Sequence, residues 1–114
     1  MTAGSILARA DRIYPNAAGQ EEKLQILYEL ACRLAAQLPG YEAPTSPFTL
    51  ESQLVGAQGD AELYLYYLLS RLLAELGELA RYQNAAALYN SAYLSFTGAW
   101  IRQHAPKNSP PARY

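Results

Sequence analysis

The chain is poor in the residues that build covalent or metal chemistry: of 114 residues one is cysteine, Cys32, and one is histidine, His104. One thiol excludes an internal disulfide, and one thiol with one histidine falls short of the four ligands of a structural zinc site. A reducing compartment is the default expectation. No stretch reaches the roughly 18 uninterrupted apolar residues of a membrane span. The start, "MTAGSILARADRIYP", has no basic region followed by a continuous apolar core. A soluble protein, intracellular in origin and without a membrane partner, is expected. Gly-rich phosphate loops and zinc-finger spacings are absent from the sequence.

Acidic residues are missing from the last third. Residues 1–78 hold all ten carboxylates against five bases, a balance of −5, while residues 79–114 hold Arg81, Arg102, Lys107 and Arg113 with no acid, a balance of +4. Such a split suits head-to-tail association of like subunits, or contact of the basic end with an acidic partner or nucleic acid. Four charges over so long a stretch are thin for nucleic-acid binding.

What is abundant is apolar surface with a polar tip. The hydrophobic fraction is 51%, charged residues are 17%, and tyrosine supplies 10 residues against 2 Phe and 1 Trp. This composition argues against disorder. A ring with a hydroxyl suits a boundary that is apolar on one side and wet on the other, as at subunit interfaces.

The periodicity reads as all-α, a small bundle of about four helices. A first helix is expected over residues 3–14, with Ile6, Leu7, Ala10, Ile13 and Tyr14 on one face and Pro15 as its stop. From Glu21 the residues Leu24, Leu27, Tyr28, Ala31, Leu34, Ala35 and Leu38 follow helical spacing until Pro39 and Gly40. Residues 39–59 form a long proline-rich loop, which is expected to pack or to reach a neighbouring subunit, since unstructured connections of more than about 12–15 residues are uncommon in small domains. Asp60 is a good N-cap for "ELYLYYLLSRLLAEL", a helix apolar on almost every side. Such a helix is surrounded by protein, and the expectation is a central helix whose outer side meets another subunit. Gly77 kinks or divides it, and a last helix runs to about His104 with Tyr82, Tyr89, Tyr93, Phe96 and Trp100 in one stripe. The helical domain is thus 1–105, followed by an extended C-terminal tail over 106–114, "PKNSPPARY", whose Pro110–Pro111 favours polyproline conformation.

No catalytic constellation emerges. Cys32 lies in an alanine-rich helix and reads as a small packed residue. Glu21–Glu22 and Glu75–Glu78 read as solvated, or paired with Lys23, Arg71 and Arg81. No catalytic, cofactor-binding or metal-ligating residue is assigned, and an enzyme is not expected. A helix-turn-helix would need a polar recognition helix. The second helix exposes Glu21, Glu22, Lys23, Gln25 and Glu29, the third is too apolar, and the polar residues of the last, Arg81, Gln83, Asn84, Asn90 and Arg102, are scattered. A small helical DNA-binding or regulatory protein remains an alternative.

Four segments carry a likeness. "DAELYLYY" (residues 60–67), "GELARYQN" (77–84) and "YNSAY" (89–93), ending in "RQHAP" (102–106), resemble a family of small helical head-tail connector or adaptor proteins encoded by tailed bacteriophages and prophages. The likeness spans residues 20–107. Ala61, Gln83–Asn84 and Ala105 depart from the family's pattern, which bears on detailed contacts rather than on fold.

The resemblance implies a structural virion protein located at the head-tail interface and made in the host bacterial cytoplasm. Copies of it would form a ring beneath the portal protein and extend the DNA channel to the next neck or tail protein, with DNA passing through without sequence-specific recognition. Another neck or tail component, of head-completion or tail-terminator type, is the alternative within the same class. The expected subunit interface comprises Tyr64, Tyr66, Tyr67, Tyr82, Tyr93, Arg102 and Tyr114, and the tail is expected to dock onto a neighbour.

Overall fold

A computed structural model describes residues 1–104, apart from the side chain of Gln58. The expected tail over 106–114, with Tyr114, lies outside the described residues. Four α-helices follow one another: α1 (Ala3–Ile13), α2 (Gln20–Gln37), α3 (Ala61–Glu75) and α4 (Leu79–His104), with one 3-10 turn, Gln58–Asp60, before α3. Among the described residues no strand forms, and the only β-type pairing is an isolated bridge between Thr2 and Gln53.

Local chemistry sets the ends of these helices. The Thr2 hydroxyl accepts the Ser5 N–H at 3.2 Å and caps α1. Pro15 disfavours helical backbone at Tyr14, where α1 stops. Gly77, at φ +72°, closes α3 with the two backbone bonds of a Schellman motif, Glu78 N to Leu73 O at 3.1 Å and Gly77 N to Ala74 O at 3.3 Å. The chain then reverses, and α4 runs back antiparallel along α3 as the most extensive helix pair in the fold. Gly77 therefore divides two helices rather than bending one.

The long connection before α3 folds onto its own domain. Ala3 N donates to Ser52 O and Gly4 N to Leu50 O, both at 2.9 Å, so this segment satisfies two of the backbone donors left open at the start of α1. Gly4 allows that approach, because a Cβ there would stand 2.8 Å from the Leu50 carbonyl oxygen. Tyr41 and Leu54 are buried. The Tyr64 hydroxyl donates to Val55 O at 2.5 Å and receives the Tyr41 hydroxyl at 2.9 Å. Burial pushes both phenols above the ordinary tyrosine range. Of the two expectations for this segment, packing and an arm toward a neighbour, the structure shows packing: it forms a strap across the chain's own core.

Two further expectations are corrected. Lys23, read as solvent-facing, is only 5% exposed, and its ammonium sits 2.8 Å from Asp11 of α1, with the aliphatic stem packed between the helices. Nor does α3 need another subunit to cover its outer side. It packs against α1, α2 and α4, and Leu63, Tyr64, Leu65, Leu68 and Leu72 are essentially inaccessible.

Candidate functional site

The unpartnered surface lies on α4. Along its 26 residues only Ala85 and Phe96 are fully buried. The aromatic stripe forms its inner seam: ring centroids lie 5.2 Å apart for Tyr67–Tyr89, 5.9 Å for Tyr89–Tyr93 and 5.8 Å for Phe96–Trp100. Beyond the first turn of α3, the overhanging end of α4 rests on the turn after α2. Trp100 Nε1 donates to Pro39 O at 2.6 Å, its ring lies 5.4 Å from Tyr41, and His104 stacks on it at 4.0 Å with an interplanar angle of 9°. The Tyr93 hydroxyl and the Trp100 indole N–H thus find partners within the chain, on Gln37 and Pro39.

The other side of α4 carries Leu94 (69% exposed) and Ile101 (52%), while Leu79 (66%) sits at the helix start beside Tyr82, Leu73 and Gly77. Leu94 and Ile101, seven residues apart, share a face with Ala87 one further heptad step back. Arg81 and Arg102 are exposed on the same helix, which contains no acid. The acidic counterpart is a corner where the start of α2 meets the end of α3. There the Glu22 carboxyl stands beside Glu75 and holds the Glu75 carboxyl above its ordinary value. The sequence reads these carboxylates as solvated or paired with Lys23, Arg71 and Arg81, and both are exposed. Folding joins them across 53 positions and gives the bases other partners: Arg71 bonds to Glu29 at 3.1 Å, and Arg81 lies over the Tyr14 ring at 5.4 Å.

A groove runs between α3 and α4, formed by two clefts of about 270 and 280 Å³ that share Tyr66 and Leu88. One end is flanked by Asp60, Glu62 and Phe96, the other by Ile13, Tyr14 and Arg81.

The expected interface residues separate accordingly. Tyr64 and Tyr67 leave the set: they are 0% and 4% exposed in the single chain, Tyr64 held by Tyr41 and Val55, and Tyr67 accepting Arg71 Nη1 at 2.9 Å. Tyr66 is half-buried and lines the groove. Tyr82 is half-buried beside Leu73, Ala74 and Gly77. Tyr93 is half-buried and donates to Gln37 Oε1 at 2.6 Å. Arg102 is exposed near the end of α4, and Tyr114 lies outside the described residues. Leu94 and Ile101 lie off the tyrosine stripe, and that spacing is the sequence signal for the outer face, whereas Leu88 lines the groove.

Cys32 is half-buried on α2, and its contact with the Tyr28 hydroxyl raises that phenol's pKa. Among the described residues no three His, Cys, Asp or Glu side chains gather as a metal site, and no helix is long and apolar enough to cross a membrane. Comparison with protein-family models, curated proteins and solved structures finds no match to this chain.

Proposed function

We propose that this chain is a structural adaptor of the head-tail junction of a tailed-phage particle, acting by docking rather than catalysis. Copies of it form a ring beneath the portal protein and extend the DNA channel toward the next neck or tail component, and DNA passes without base-specific contact. The likeness of residues 20–107 to that family supplies the class.

The observation that carries the docking role is the outward face of α4. Leu94 and Ile101, one heptad step apart, stay exposed after the inner face of the same helix has completed the core. Exposed apolar side chains grouped on one face mark a contact surface. The acid-free α4 and the Glu22–Glu75 corner give one copy a basic side and an acidic side. A closed ring uses head-to-tail contacts between two different patches of one subunit, and opposite charge on those patches sets orientation more than affinity.

The test is the mass of the purified chain by light scattering across concentration, alone and with its cognate portal protein. Ring-sized species, or retention by the portal, are expected. A monomer at every concentration that the portal does not retain refutes the reading.

A further inference from the structure

The groove between α3 and α4 has the length and lining to take an extended segment. From Ser95 to Arg81 along α4 is 14 residues, about 21 Å. That length holds about seven residues of polyproline chain at about 3.1 Å each. Tyr14, Tyr66 and Phe96 contribute rings to it, and aromatic-lined grooves are the usual seat of proline-rich segments. Asp60 and Glu62 make one rim acidic, while at the far end the Arg81 guanidinium is turned onto the Tyr14 ring.

We propose that residues 105–114 of a second copy of this chain occupy this groove. The segment "APKNSPPARY" has three prolines, two bases and no acid, so its conformational preference suits the aromatic floor and its charge suits the Asp60–Glu62 rim. Placement in the same chain is opposed by geometry. His104 and Leu88 are 16 residues apart, which places them about 160° apart around α4, so the chain leaves the helix on the side away from the groove. Half the girth of a helix of about 10–12 Å diameter is about 16 Å and the return past nine residues to Ser95 is about 14 Å, so the shortest path over the helix surface is about 21 Å. Ten residues at about 3.1 Å span about 31 Å, which leaves about three residues of the same chain for a groove that holds about seven. A neighbour's segment meets no such detour.

This inference rests on the reading that like copies dock. The experiment uses the full chain with Leu88→p-benzoylphenylalanine, mixed with a nitrogen-15-labelled copy, irradiated and mapped by mass spectrometry, with light scattering on the same samples. Cross-links from position 88 of one copy to residues 105–114 of the other are expected. Glu62→Lys should lower their yield about threefold, the size of one exposed ion pair, with the circular dichroism spectrum unchanged. A second photoprobe at Ser91 gives the same readout if the first disturbs the fold. Cross-links to other segments, or to residues 105–114 of the same copy, in samples that do assemble overturn the inference and leave the adaptor reading standing. A chain that stays monomeric and is not retained by the portal removes both.

Discussion

Helices α3 and α4 lie side by side and are both rich in large apolar residues, yet they meet opposite environments. Leu63, Leu65, Leu68 and Leu72 of α3 are at most 1% exposed, while Leu79, Leu94 and Ile101 of α4 are more than half exposed. The difference follows from neighbours rather than composition. α3 is packed by three helices, whereas the helix packing of α4 is overwhelmingly with α3, and one partner covers only one side of a helix. The more uniformly apolar helix is therefore the poorer candidate for an interface. It has been used up in folding, and the surplus appears on a helix whose sequence reads as merely amphipathic.

Leu68→Ala should sharpen this contrast most. Deleting a fully buried leucine costs about 2–5 kcal/mol, readable as a lower urea midpoint, whereas Leu94→Ala should leave stability within about 0.5 kcal/mol and weaken self-association instead. Equal losses of stability from both would place Leu94 in the core and break the comparison.

Tyr64→Phe leaves the Tyr41 hydroxyl and Val55 carbonyl short of a partner in a buried site, at a cost of about 1–3 kcal/mol. The wild type should also lose stability as pH rises above about 10, the ordinary tyrosine value, because unfolding then releases protons from phenols that folding holds neutral. Flat stability through that window would mean these hydroxyls are solvated. At the α3–α4 turn, Gly77→Ala forces a side chain to φ +72° and should cost about 1–2 kcal/mol. An unaffected urea midpoint would show that the turn can relax.

The smallest effect is expected at the acidic corner. Glu75→Gln removes the repulsion from Glu22 and should raise stability at pH 7 by no more than about 0.5 kcal/mol, since both groups are exposed. The folded-state value of Glu75 lies above its unfolded one. The penalty is thus fully present at neutral pH and fades as pH falls through that raised value, so the variant's advantage should shrink on acidification. An advantage that grows instead would mean that Glu75 is held by a cation.

Much of the helix layout was legible because its signals are local. Pro15, Pro39–Gly40 and Gly77 punctuate the chain where the helices end, and the helical spacing of Leu24, Leu27, Ala31 and Leu34 predicts the buried face of α2. The contacts that hold the long connection were not legible. Tyr41 meets Tyr64 across 23 positions and Lys23 meets Asp11 across 12, and nothing in local spacing distinguishes a tyrosine that will be locked in place from one left at a surface. The same limit applied to the candidate site, where Tyr64, Tyr66 and Tyr67 are near neighbours in one string and only Tyr66 reaches the groove.

The sequence by itself determined the number and extent of the helices, the aromatic seam of the last one and the unequal division of charge, because propensity, punctuation and periodicity act over a few residues. Tertiary structure alone decided which apolar residues are spent on the core and which remain for a partner. That allocation depends on how many helices pack around each one, and so on contacts between residues far apart in the chain.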